Sequence, residues 1–276
     1  MAVISLSSVP PRFPRLHDTL DTILTQRRHD LEIWLNIPRA YRRFPDWDGS
    51  VPRVDRRIRI IRAEEDLGPA TKVLPAVTEL RGSDDQILFC DDDRLYEPDW
   101  AQRLLHEQSL RPEMCVAAIG RHLSDVVPEA SDRLLGQRAI LGPVRDTRYT
   151  MQRLWQRLRE HRNIETTAKP AKPRVKRAGF TEILQGFAGV VIRPSFFDDA
   201  AFTTPTPLIA VDDICLSGHL ARRGVPIWLP AGIRVARRSQ NHQVEALKDQ
   251  IVEGMIRQEL DRLAVAYFQE KHGIWL

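Results

Sequence analysis

The chain has 276 residues, 42% of them hydrophobic and 28% charged, with a net charge of +4. This is a soluble globular composition, long enough for one large α/β domain. It contains no run of 18 apolar residues from which a membrane-spanning helix could be built. The opening "MAVISLSSVPPRF" lacks the basic and then apolar layout of a signal peptide and reads as a first strand, so a cytoplasmic protein is expected. Cys90, Cys115 and Cys215 lie far apart in apolar surroundings and are expected as buried free thiols, none with metal-ligand spacing.

Short apolar runs alternate with helical patterns along the first half. "VISLSSVP" is a strand stopped by Pro10 and Pro11, after which Leu16, Leu20, Ile23 and Leu24 recur at helical spacing. "LEIWLNIP", "RIRIIRA" and "QILFC" are the next three strands. Between the last two, "PATKVLPAVTEL" has helical spacing, with Pro69 placed to open it. The helix "DWAQRLLHEQSL" leads to a fifth strand, "MCVAAIG". Such alternation predicts a mainly parallel, doubly wound sheet flanked by helices.

The rhythm breaks from about Ser124 to Ala178, where no clear strand is expected. "MQRLWQRLREHR" is a basic helix and "TTAKPAKPRVK" a mobile Pro/Lys-rich loop. From Arg145 to Arg177 eleven Lys and Arg residues face only Asp146, Glu160 and Glu165, a stretch that attracts an anionic partner. Order resumes with a strand at Gly189 to Arg193, a helix in "VDDICLSGHLARRG" stopped by Gly224, and short strands in "VPIWLP" and "GIRVAR". A long amphipathic helix is expected from Val244 to about Lys271, with Val252, Ile256, Leu260, Leu263 and Tyr267 on one face. A single domain spanning 1–276, with a basic insertion at about 145–178, follows.

The chemistry concentrates in a few places. Asp91, Asp92 and Asp93 end a buried-type strand, at the edge of a parallel sheet where ligands collect. Two carboxylates about 4 Å apart repel by roughly 4 kcal/mol at an effective dielectric of 20. A hard divalent cation would neutralise such a group; the other reading is a solvated acidic turn. An EF-hand is excluded, because no glycine stands at the sixth loop position. A phosphohydrolase of haloacid-dehalogenase type would want threonine where Leu95 stands, and is kept as an alternative, as is a non-catalytic anion-binding protein. Asp66 and Lys72 flank a Gly-Pro turn suited to phosphate, or to a capped helix with a surface lysine. Asp212 and Asp213 open a helix, where one can cap and the other serve as a base. Gly186 and Gly189 precede a strand and would let a substrate approach the backbone, or form an ordinary turn. His242 is a candidate third metal ligand or a surface histidine.

In this order the motifs resemble the GT-A glycosyltransferases. "LFCDDDRLY" resembles their D-x-D signature, "DLGPATK" the D-x-x-x-x-x-K stretch of the β-1,3-galactosyltransferase-like branch, and "QGFAGVVI" the glycine-rich strand entry. "VDDICLSGHLARRG" is similar to its E-D-V-x-x-G stretch, with Asp212 in place of glutamate. The match runs over about residues 3 to 242 without the basic middle. The resemblance implies a Rossmann-like GT-A fold, a nucleotide-diphosphate sugar donor (a UDP-sugar favoured) and Mn²⁺ or Mg²⁺. It implies Asp91 and Asp93 at the metal, with His242 as the further candidate ligand, and Asp213 as the base of an inverting transfer. Ser7, Pro10, Arg12, Asp66, Lys72, Asp91, Asp92, Gly186 and Gly189 would lie toward the donor. A hydroxyl acceptor of polysaccharide or glycolipid type is expected, an anionic or lipid-linked glycan among the options. Nucleic acid is not expected, and contact with the inner face of a membrane is compatible with the basic stretch.

Overall fold

In a computed structural model the described residues are 1–28, 30–129, 136–161, 169–244 and 254–276. In chain order the strands are β1 (Ala2–Ser7), β2 (Leu31–Pro38), β3 (Ile58–Ala63), β4 (Gln86–Phe89), β5 (Arg94–Leu95), β6 (Cys115–Ala117) and β7 (Gly120–Arg121). They continue as β8 (Ile140–Leu141), β9 (Val175–Arg177), β10 (Gly179–Thr181), β11 (Ile183–Leu184), β12 (Val190–Ile192), β13 (Ile227–Leu229) and β14 (Arg237–Arg238). The helices are α1 (His17–Leu24), α2 (Leu74–Glu79), α3 (Trp100–Ser109), α4 (Thr147–His161), α5 (Asp212–Arg222) and α6 (Arg257–His272).

Eight strands form one sheet in the order β10-β13-β6-β12-β4-β1-β2-β3. Pairing among β4, β1, β2 and β3 is parallel, β12 runs antiparallel to both β4 and β6, and β13 is parallel to β6. This is the α/β architecture expected from the alternation. The strand order reverses direction at β1, with β2 on one side and β4 on the other, which leaves a crevice at the carboxyl ends of those strands.

The period of two along each strand splits the core between the two faces. Ile4, Leu6 and Leu88 point to one face, which α1 and α3 cover with Leu20, Ile23, Trp100 and Leu104. Val3, Ile87 and Phe89 point to the other, covered by α2 and α5 with Leu74, Val77, Leu216 and Leu220. Both faces are therefore dry, as a parallel sheet requires. Cys90, Cys115 and Cys215 are buried free thiols, as expected.

Several elements differ from the sequence reading. The helix expected over 69–80 is a 3₁₀ turn, Gly68–Lys72, followed by a break at Val73 and then α2. Pro75 cannot donate into a continuing helix, so the chain restarts there with the proline in the first turn. The middle segment does contain strand: β8 pairs antiparallel with β9, inside the stretch expected to have none. "GIRVAR" contributes only its last residue to a strand, Arg237 in β14. α6 presents Leu260, Asp261, Ala264, Val265 and Phe268 inward, whereas Ile256 and Leu263 of the expected face are exposed; Val252 lies outside the described residues. Two contacts set that rotation. Asp261 is ion-paired to Arg121 and Arg257, and the Phe268 ring packs on Gly218 of α5, where a Cβ would lie 2.6 Å from it.

Candidate functional site

A cavity of about 600 Å³ opens at the carboxyl edge of β1, β2, β3 and β4. Its walls come from the segment after each of those strands, from the start of α5 and from Arg257 at the start of α6. Apolar lining is supplied by Val9, Pro38, Tyr41, Phe44, Pro69, Phe187 and Ile209. Tyr41 is fixed by donating its hydroxyl hydrogen to the Ser8 carbonyl (2.7 Å) and by edge-on contact with the Phe44 and Trp47 rings.

Lys72 is the central charge. It is buried, and its Nζ lies 2.7 Å from Asp91 Oδ1 and 2.9 Å from Asp212 Oδ2. The first contact is a hydrogen bond; the second is a close ion pair without hydrogen-bond alignment. Burial alone would lower the Lys72 pKa, but Asp212, Asp91 and Asp213 more than reverse this and hold it well above its usual value. Its backbone is anchored to the sheet as well. The Ser5 hydroxyl donates to the Lys72 carbonyl (2.7 Å), and Asn36 donates to Ser5 in turn (2.9 Å). A surface lysine at a helix start, the bland reading of the sequence, is therefore ruled out.

The aspartate triplet fans out to three partners. Asp91 meets Lys72. Asp92 accepts from the Ser8 hydroxyl and from Arg12 (2.6 Å). Asp93 lies 3.1 Å from Arg94 Nε and 3.7 Å from Arg12, and its Oδ1 is buried without an aligned hydrogen bond. Burial raises Asp91, but Lys72 outweighs it and the pKa ends below the usual carboxylate value. Asp92 and Asp93 end above it, because burial there exceeds what the arginines return, and for Asp93 the Asp91 charge adds to the rise. The Tyr96 hydroxyl accepts from the Asp91 N–H (3.2 Å) and faces the carbonyls of Asp91 and Phe187, which locks the turn.

On the other side of Lys72 stand Asp212 and Asp213, in the first turn of α5. Asp213 Oδ1 accepts the Gly186 N–H at 2.9 Å. Burial, and then the neighbouring Asp212 charge, push the Asp213 pKa up to about 7. A carboxyl held there is half ionised near neutral pH, which suits proton abstraction. Arg257 reaches the same end, donating to the Ala210 carbonyl (2.9 Å) with Asp212 and Asp213 in its field.

Most residues singled out in the sequence line this cavity: Ser7, Arg12, Asp66, Lys72, Asp91, Asp92, Asp93, Asp212, Asp213 and His242. Some have duties different from those expected. Asp66 accepts from the backbone N–H groups of Arg42 and Gly68, so it ties two loops together. Arg12 is committed to Asp92, Asp93 and the Val244 carbonyl. Pro10, Gly186 and Gly189 are not among the lining residues. The close approach at the two glycines is to protein groups: a Cβ on Gly186 would meet Lys72 Nζ at 2.6 Å, and one on Gly189 the Trp100 indole at 2.5 Å. Ser8, Arg42, Arg43, Arg94, Arg238 and Arg257 were missed. Arg94 directly follows the triplet and was visible there, whereas Arg257 is brought in only by the packing of α6 on α5.

The triplet's countercharge is thus already partly on the chain. Among the described residues no three histidine, cysteine or carboxylate side chains form a ready metal cage. Magnesium-like ions, however, are held by one or two carboxylates with water and substrate phosphate filling the shell. Asp93 Oδ1 is buried and outside any aligned hydrogen bond, although Arg94 Nε stands 3.1 Å from it, so an ion bound there would compete with Arg94; Asp91 beside it is 31% exposed. His242 lines the same cavity. The residues present fit a small divalent cation.

No protein-family model matches the chain, and no curated protein does. Among solved structures it is similar to two crystal structures of S. aureus TarS. The structure of TarS 1-349 aligns with a TM-score of 0.46 at 9% identity, over 98% of this chain and 71% of that one. The second aligns with a TM-score of 0.45 at 10% identity, over 99% of this chain and 43% of that one, so the chain spans less than half of the longer structure. Likeness at this level fixes neither a family nor a reaction.

Proposed function

We propose that the chain transfers a sugar from a nucleotide-diphosphate donor, a UDP-sugar in the first instance, to a hydroxyl acceptor on a polysaccharide or glycolipid glycan. One observation carries the reading. The Lys72 ammonium joins Asp91 of the triplet after β4 to Asp212 of the acidic pair opening α5, so an acid-rich, cation-rich end and a carboxyl titrating near 7 face one cavity. A diphosphate needs the first and an acceptor hydroxyl the second.

In this reading Asp213 accepts the proton of the acceptor hydroxyl. The acceptor oxygen then bonds the anomeric carbon while the bond to the diphosphate breaks on the opposite face, inverting the centre. Asp212 is a positioning residue: paired to Lys72, its charge keeps Asp213 basic. Lys72, Arg94 and the mouth arginines Arg42 and Arg238 supply positive charge for the departing diphosphate. The apolar wall of Pro38, Tyr41 and Phe44 excludes water beside it. A divalent cation, held by Asp93 and Asp91 with His242 alongside, would supply Lewis-acid neutralisation of the diphosphate.

The test is thermal stabilisation by UDP or GDP with and without Mn²⁺, followed by a panel of donors scored for nucleoside diphosphate release. Metal-dependent stabilisation by one nucleoside diphosphate, and its release only with a sugar donor, supports the reading. Stabilisation by none of the common nucleotides overturns it. Phosphate release from simple phosphomonoesters would favour the phosphohydrolase instead.

A further inference from the structure

Helix α4 faces the wrong way for a helix that packs on its own protein. At 100° per residue, Met151, Leu154, Trp155 and Leu158 fall within an arc of about 100°. These four are 61%, 59%, 65% and 51% exposed. The opposite side, with Tyr149, Gln152, Arg153 and Gln156, is polar and turned inward; Gln156 is buried and accepts from Arg153 (2.5 Å). The apolar stripe thus lies in water while polar groups lie against the body of the protein.

This is not a frayed end. Asp146 accepts the Tyr149 N–H (2.8 Å) and is itself paired to the buried Arg234 (2.6 Å). Arg148 reaches Glu97 at 2.8 Å, and Lys172 lies over the Tyr149 ring. The helix is therefore pinned with its stripe outward.

The charges around the stripe identify the partner. Arg159 stands about 90° to one side and Arg157 about 110° to the other, both exposed, and no acidic residue occurs from Thr147 to Arg159. The β8–β9 ribbon from which α4 departs carries exposed Arg174, Lys176 and Arg177. A second copy of this surface would bring like charges together. A nucleic acid would use the arginines but leave a Leu/Trp/Met stripe in water. A bilayer with anionic headgroups satisfies both, the apolar face entering the acyl boundary, Trp155 at its polar border and the arginines among phosphates. We infer that α4 is an in-plane anchor that docks the protein on an anionic phospholipid surface through Met151, Leu154, Trp155 and Leu158. The inference rests on the exposure and charge of α4 and is independent of the sugar-transfer reading.

Co-sedimentation of the full chain with vesicles, without substrate, tests it. Binding is expected to vesicles of phosphatidylcholine mixed with phosphatidylglycerol, to be weak on phosphatidylcholine alone, and to fall with salt. Leu154→Glu/Trp155→Glu is expected to lower the partition coefficient at least about tenfold, and Arg157→Glu/Arg159→Glu by about tenfold or more on the anionic vesicles. All four side chains are exposed, so Tm is expected to hold in both variants. Equal binding to neutral and anionic vesicles, binding unchanged by either variant, or no binding at all would overturn the inference. So would sedimentation velocity showing a dimer that Leu154→Glu/Trp155→Glu dissociates, which would make a second copy the occupant.

Discussion

Replacing Lys72 by methionine removes one ammonium from between Asp91 and Asp212 while keeping most of the side chain's volume. At an effective dielectric of about 20, unit charges at 2.7 Å and 2.9 Å each attract by about 6 kcal/mol. Much of this offsets the dehydration of the three groups, so the net effect of removing one buried partner is about 3–5 kcal/mol. With an unfolding entropy of about 2 cal/mol/K per residue over 276 residues, Tm falls by about 5–9 °C. Lys72→Met/Asp212→Asn removes a carboxylate together with the ammonium and is expected to recover part of the loss. The pH dependence has a definite sign. Lys72 overcomes burial to depress Asp91, and a depressed carboxylate stabilises the fold above its unfolded pKa and ceases to as the folded form protonates. The deficit of Lys72→Met is therefore largest at neutral pH and narrows below about pH 4. Calorimetry of both variants at several pH values checks this. A single variant within about 1 °C of the parent, or a double variant no better than the single, would refute the account of Lys72 as the shared counterion.

Asp213→Asn is expected to lower kcat by about 10²–10⁴ while leaving stabilisation by the nucleoside diphosphate intact. The parent's kcat/KM should rise with pH through about 7, and the variant should lack that limb. Because burial and Asp212 hold this carboxyl near 7 against about 4 in the unfolded chain, it costs stability progressively as pH rises from about 4 to about 7 and by a constant amount above that; the variant is expected to melt higher than the parent at pH 8 and about equally at pH 4. Asp93→Ala is expected to abolish the Mn²⁺-dependent part of that stabilisation, read by titrating the metal at fixed nucleotide. Gly189→Ala is expected to be destabilising by about 3 kcal/mol or more, since φ is +105° and the new Cβ would overlap the Trp100 indole; its circular-dichroism melt should show the loss without a change in nucleotide specificity.

Local patterns carried most of the architecture. "LEIWLNIP" coincides with β2 from end to end, because a β-branched, apolar run closed by proline leaves little choice. The triplet after β4 and the acidic pair at α5 were legible for the same reason: each stands at the end of a recognisable element, the triplet closing a strand and the pair opening a helix. Lys72 was legible as a candidate but not as the link between them, since pairing across the chain leaves no periodic trace. Arg257 was invisible because its place depends on which face α6 buries, and that depends on Phe268 meeting Gly218. The polarity of α4 shows the same limit: spacing reveals two faces, and only the fold tells which one meets water.

The middle aspartate fastens the floor of the cleft. Asp92 takes Ser8 and Arg12 with its carboxylate, and its carbonyl takes the Thr19 hydroxyl at 2.8 Å, so the loops after β1 and β4 and the helix between them share one clasp. A ligand that recruits Asp91 and Asp93 need not disturb that clasp. Adaptation on binding is then borne by side chains and by the outer loops bearing Arg42 and Arg238, while the backbone from β1 to β4 keeps its shape. The floor acts as a fixed template, and selectivity among ligands is left to the rim.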